Sequence, residues 1–164
     1  MQTIFPLKTL ATLTLAATLT VAFAGEHRPA VDHLPGVWVQ VDEKTGKSQS
    51  LVRISAAPAA SYVGMVEKIF AAAGEDENPR CAACTGAEKN QPIRGMRIIS
   101  GLKRAAFDSD VYDSGEILDP DSGEVYRLKI TVLETGKKLD VRGFIGVSLF
   151  GRSQIWSRAP VEAK

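Results

Sequence analysis

Cys81 and Cys84, the only cysteines of the chain, are separated by two alanines and form the pair best suited to chemistry. A C-x-x-C pair can close into a disulfide, exchange with other thiols or supply half of a zinc site. Exchange needs a lowered thiol pKa, usually supplied by a helix N-terminus in a thioredoxin-like βαβ setting, and no such unit is readable here. Zinc needs two further ligands, and the only histidines, His27 and His33, fall in the segment leading into the first strand. In an oxidising compartment, two cysteines and no others most simply make one bridge. A structural Cys81–Cys84 disulfide is therefore the expectation, with thiol exchange and metal binding as the alternatives.

The carboxylates Asp108, Asp110, Asp113, Asp119, Asp121 and Glu124 invite a calcium reading. From Asp119 onward, however, the glycine comes fifth where an EF-hand loop needs it sixth. Asp119-Pro-Asp-Ser-Gly123 is better read as a strand connection, with Pro120 presetting its φ and Gly123 accepting a positive one. No metal site or cofactor is expected. No Gly-x-Ser-x-Gly elbow occurs and only two histidines could act as bases, so no catalytic residue is assigned and an enzyme is not favoured. Arginines in strand patterns remain. Arg142 and Arg152, with Tyr126 and Phe144, are the candidate ligand contacts, because a guanidinium recognises a carboxylate or phosphate bidentately. Alternation places Arg142 with Asp140 and Phe144 on one face and Leu139, Val141, Gly143 and Ile145 on the other, without saying which face is the lumen.

The elements that position these residues begin after a removable segment. Residues 1–24 read as a secretory signal, with a basic stretch ending at Lys8, an apolar threonine-rich core and Ala22-Phe23-Ala24 before Gly25. The core is too short for a membrane span, position 25 offers no lipid-accepting cysteine, and no twin arginine precedes the core. The expectation is cleavage after Ala24, export to the periplasm, a leader over 25–35 and one domain over 36–160. Cleavage removes one cation and leaves the charges balanced. Net charge thus makes no case for nucleic acid or anionic lipid as a partner.

The period of the remaining chain is that of strands. Val37 to Val41, Ser50 to Ile54 and Ser61 to Phe70 lead into an alanine-, charge- and glycine-rich loop from Ala71 to Pro92. A loop of that length is usually functional or mobile. Further strands are predicted at Met96 to Gly101, Ala105 to Phe107, Tyr112 to Leu118, Val125 to Leu133, Lys138 to Ile145 and Ser153 to Arg158. Eight or nine antiparallel strands with no helical stripe predict an all-β chain, a small closed barrel whose closure removes exposed edges. Gly36-x-Trp38 opens the first strand, and Trp156 and Arg158 end the last. A guanidinium stacked on an indole at a barrel end is worth ~0.5–2 kcal/mol.

That opening and closing pair resembles lipocalin-like barrels, in which an arginine of the final strand packs on the tryptophan of an opening Gly-x-Trp; the resemblance assigns barrel closure to Gly36, Trp38, Trp156 and Arg158. A more specific resemblance covers nearly all of the chain after the signal. Leu51-Val-Arg-Ile54, Cys81-x-x-Cys84 with Gln91-Pro-Ile-x-Gly95, Gly115-x-Ile-Leu-Asp-Pro120, Gly123-x-Val-Tyr126, Leu139-x-Val-Arg-Gly-Phe-Ile-Gly146 and Gly151-Arg-Ser-Gln-x-Trp156 together resemble the bacterial exported family catalogued as domain of unknown function 2147. Ser114 departs from it, standing where a Gly-Gly pair is common. The resemblance implies an exported, compact β-barrel and no established activity. Two functions are carried forward. One is a non-enzymatic barrel holding a small apolar or amphipathic ligand; the other is an envelope interaction module that uses the 71–92 loop, with thiol exchange at its cysteines.

Overall fold

The computed structural model describes residues 31–42 and 45–160. The signal reading of residues 1–24 and His27 of the leader lie outside them. Eight strands follow one another: β1 Gly36–Val41, β2 Ser48–Ala57, β3 Ser61–Ile69, β4 Arg97–Arg104, β5 Val111–Leu118, β6 Val125–Leu133, β7 Lys138–Phe144 and β8 Gly151–Arg158. Each pairs antiparallel with the next, and β8 returns to β1 through Trp38↔Arg158 and Val39↔Ser157, closing the barrel. The ninth strand expected at Ala105 to Phe107 is absent. Ala105 instead donates its N–H to the Val111 carbonyl to close the β4–β5 turn, and Phe107 stands fully in solvent.

Two-residue alternation explains which side chains enter the barrel. In β6, Leu128, Ile130 and Val132 are buried while Arg127 faces solvent, and their β7 partners Val141 and Leu139 are buried with them. Trp38, Val52, Ile54, Ile99, Leu102, Tyr112 and Trp156 complete a continuous core. This part of the lumen is filled, and glycine makes the filling possible. A Cβ on Gly64 would sit 2.9 Å from Ile99, and one on Gly115 would sit 2.9 Å from the Leu102 backbone, so neighbouring side chains occupy the space that these two leave.

The ends of the barrel differ. One end carries the β2–β3, β4–β5 and β6–β7 turns and is crossed by residues 31–35. The other, the mouth, carries the β1–β2, β5–β6 and β7–β8 connections and the long β3–β4 loop. That loop is largely ordered by its own bonds. Cys81 and Ile93 donate N–H groups to Gln91 and Pro79, Arg80 bridges Pro92, and Cys81–Cys84 is a disulfide buried in the core cluster with Met96. No helix among the described residues is long and apolar enough to cross a membrane.

Candidate functional site

The closed end is held by two polar clusters. In the first, Arg158 stacks 4.1 Å from the Trp38 ring centroid and donates to the carbonyls of Gly136 (2.5 Å), Pro35 (3.2 Å) and His33. Gly36 is required beneath it, since a Cβ there would lie 2.2 Å from a guanidinium nitrogen. Trp38 donates its indole N–H to the Leu34 carbonyl at 3.0 Å, and the Leu34 side chain is fully buried as the plug. Burial pushes the Arg158 pKa down from its ordinary value, yet a guanidinium starts so high that it stays cationic.

The second cluster was invisible in the sequence, where Asp32 belonged to a leader with no assigned role. Asp32 accepts from Tyr62 Oη (2.5 Å), Tyr112 Oη (2.7 Å) and the Leu34 N–H (3.1 Å), and Arg104 approaches it at 3.2 Å. Tyr112 in turn accepts from Arg104 Nη2 at 2.8 Å, and the two tyrosine rings meet edge to face. Desolvation acts to raise the Asp32 pKa, but the hydrogen bonds from Tyr62, Tyr112 and Leu34 and the Arg104 charge outweigh it and hold the carboxyl below its ordinary value. Burial, followed by bonding to Asp32, pushes both phenols up, Tyr112 strongly. The Asp32 carboxylate oxygens are already taken up by the two phenols, the Leu34 N–H and Arg104. The group works as a tie between residue 32 and strands β3, β4 and β5.

The mouth is different. A cavity of about 380 Å³ opens between β1–β3, the β3–β4 loop and the β5–β6 turn. Val66, Ile69, Ile93 and Ile98 supply its apolar lining, while Gln40 and Ser50 lie at its base. Those two join a short chain that separates the cavity from the packed core. Ser50 Oγ donates to Gln40 (2.8 Å), Gln40 donates to Gln154 (3.3 Å), and Trp156 Nε1 donates to Gln154 (3.3 Å). The rim carries Glu75, Asp76, Asp119 and Asp121, and no lysine or arginine lines the cavity. Some of these carboxylates also shape their own turns, as Asp119 does by accepting from Asp121 N–H and Ser122 Oγ. A broader hollow of about 520 Å³ lies outside the barrel wall beside the exposed Arg53–Glu67 pair, where neither the lumen nor the polar chain reaches it.

The disulfide belongs to the wall of this mouth. Cys81 Sγ rests 3.1 Å from the Pro120 carbonyl oxygen, a contact and not a hydrogen bond because a disulfide has no proton to give. The four residues proposed as ligand contacts do not converge. Tyr126 and Arg152 take inward positions near the mouth, Arg152 opposite Gly143 and Tyr126 packed close to it, though neither lines the cavity. Arg142 and Phe144 lie on the outer face, opposite Lys129 and Arg127. Arg142 is engaged there with its own loop, donating to Ser148 O (2.6 Å), Leu149 O (3.2 Å) and Ser153 Oγ (3.0 Å). Among the described residues no three of His, Cys, Asp and Glu come together as a metal site.

An eight-strand closed barrel, sealed at one end by an arginine on a tryptophan and open at the other, defines a lipocalin-like protein by its fold. The chain belongs to the family described as an uncharacterized protein conserved in bacteria, DUF2147, whose model matches residues 36–158. Among solved structures it is similar to a protein described as "Protein HP1028 from the human pathogen Helicobacter pylori belongs to the lipocalin family". The two share 17% identity at a TM-score of 0.65, over 79% of this chain and 84% of that one. At that identity the likeness speaks for the fold alone. No curated protein matches the chain.

Proposed function

We propose that this protein is an exported, non-enzymatic binding barrel that takes the apolar part of a small amphipathic molecule into its mouth. The observation that carries this reading is the cavity of about 380 Å³, with aliphatic lining and a hydrogen-bonding base. It falls within the usual range of small-molecule pockets, roughly 300–1,000 Å³. Its rim narrows the ligand: four carboxylates without a cation disfavour a carboxylate or phosphate head and suit a neutral or positively charged one. Tyr126 and Arg152 lie on the far side of the mouth and do not line this cavity. Export rests on the basic, apolar and Ala-x-Ala features of residues 1–24, and a periplasmic location suits the disulfide. Thiol exchange gains no support from two sulfurs buried beneath the β5–β6 turn.

The test is a titration with three amphiphiles of one chain length, dodecyltrimethylammonium, dodecyl maltoside and dodecanoate, alongside native mass spectrometry of periplasmic material. The first two are expected to bind at least about tenfold more tightly than dodecanoate, a difference of ~1.4 kcal/mol. Ala71→Trp, which fills the cavity from its rim, is expected to abolish binding. A protein that retains nothing and binds none of the three overturns the reading.

A further inference from the structure

The cavity is not apolar down to its floor. Ser50 takes an inward position of β2, two residues before Val52, and at 7% exposure it is the only buried serine, threonine, amide or charged side chain among the described residues. An aliphatic side chain there would continue the pattern of Val52 and Ile54, whereas a hydroxyl taken out of water needs partners. Gln40, its cross-strand neighbour on β1, lines the cavity beside it.

The hydrogen bonds behind these two side chains run in one direction, and Trp156 sets it, because an indole N–H can only donate. Gln154 must present its carbonyl to Trp156 at 3.3 Å. Gln40 must then offer an N–H to that same oxygen, also at 3.3 Å, which turns the Gln40 carbonyl toward Ser50. The Ser50 hydroxyl places its single proton on Gln40 at 2.8 Å. Among the described residues no donor reaches Ser50 Oγ in return. The chain of bonds therefore ends at the cavity in an oxygen that has lone pairs and no hydrogen to give.

We infer that the inner end of the ligand carries a hydrogen-bond donor, in the simplest case a hydroxyl, which Ser50 Oγ accepts. The inference rests on the reading of the mouth as a binding cavity and adds that the bound molecule is polar at both ends. A donor meets the floor, an aliphatic middle lies against Val66, Ile69, Ile93 and Ile98, and a neutral or cationic head reaches the rim. A methyl terminus would take water from Ser50 without replacing its bond, and an ether oxygen would meet it lone pair to lone pair. A site built around a polar group of its ligand rejects the analogue that lacks it far more strongly than an apolar pocket rejects an added hydroxyl.

Calorimetric titration with dodecyltrimethylammonium and its ω-hydroxy and ω-methoxy forms tests the inference, since the three differ only at the end of the chain remote from the head. Wild-type protein is expected to bind the hydroxyl-ended ion at least about tenfold more tightly than the methyl-ended one, and the methoxy-ended ion no more tightly than the methyl-ended one. Ser50→Ala removes the acceptor and is expected to bring the hydroxyl- and methyl-ended ions within about twofold of each other. Trp156→Phe removes the N–H that sets the direction of the chain, and is expected to shrink the preference for hydroxyl over methoxy by about fivefold, a ratio that a purely structural tryptophan would leave unchanged. The comparison of the three ions on the wild type needs neither variant, and circular dichroism melts report whether each variant keeps the barrel. Equal or tighter binding of the methyl-ended ion by the wild type overturns the inference and leaves the binding barrel standing. A hydroxyl preference that survives in Ser50→Ala, or an unchanged ratio of hydroxyl to methoxy binding in folded Trp156→Phe, also overturns it. Binding of none of the three ions overturns both readings together.

Discussion

The guanidinium of Arg158 lies 4.1 Å from the centre of the Trp38 ring while donating to three carbonyls, one in the β6–β7 turn and two in the segment that crosses the closed end before β1. One side chain therefore ties β8, β1, the residues before β1 and the β6–β7 turn. Arg158→Ala is expected to lower the unfolding free energy by about 3 kcal/mol, combining the stacking term with carbonyls left short of donors. Arg158→Lys should recover only part, since a compact ammonium lacks the planar fork that spans these separated carbonyls while stacking on the indole. Urea unfolding measures both, and an alanine variant within about 1 kcal/mol of wild type would refute the seal.

The Asp32 cluster predicts pH limits at both extremes. The folded Asp32 pKa lies below the ordinary aspartate value of 3.8, so its stabilisation is present above that value and is lost as pH falls through the folded pKa. Tyr62 and Tyr112 have pKa values raised above 10.0, so their contribution is complete below pH 10 and is lost as pH climbs through the folded values. Asp32→Asn should flatten the acid limb of a melting-temperature profile. Tyr112→Phe should flatten the alkaline limb and cost about 1–2 kcal/mol at neutral pH.

Two adjacent positions of β5 should respond in opposite directions. Ser114 holds a φ of 60°, in the left-handed region, at a register shift between Tyr112 and Gly115. Ser114→Gly is expected to stabilise by about 0.5 kcal/mol, relief of backbone strain exceeding the added chain entropy. At the next residue, Gly115→Ala must displace the Leu102 backbone and is expected to cost about 2–3 kcal/mol. Thermal melts of the two variants on either side of wild type are the check.

The disulfide closes a very short loop, for which chain entropy assigns about 2 kcal/mol. Cys81→Ser/Cys84→Ser is expected to lose that amount and to speed amide exchange across the 79–93 segment. Thiol counting on the native protein should find no free thiol, and reduction should be slow until the β5–β6 turn is opened. Rapid reduction of the folded protein would count against a structural role.

Much of the barrel was legible because a strand announces itself locally. The alternation of Val125 to Leu133 needs no knowledge of its neighbours, and the turn residues of Asp119 to Gly123 mark where it begins. The segment at Ala105 misled because three short apolar residues satisfy a strand pattern as well as they satisfy an exposed turn. The missed cluster had no local signal at all: Asp32 lies 30 residues from Tyr62 and 80 from Tyr112, and only the chain's crossing of the closed end unites them.

Arg142 divides the two kinds of knowledge most clearly. By itself the sequence determined the strands, the turns, the glycine-and-tryptophan opening of the barrel, and that Arg142 and Phe144 share a face opposite Leu139, Val141 and Gly143. Only the tertiary structure decided that the face of Leu139 is the lumen, that Arg142 is engaged with its own loop, and that a cavity survives between the long loop and β1–β3. Alternation is a property of one strand's backbone. Inside and outside exist only once β8 has closed onto β1.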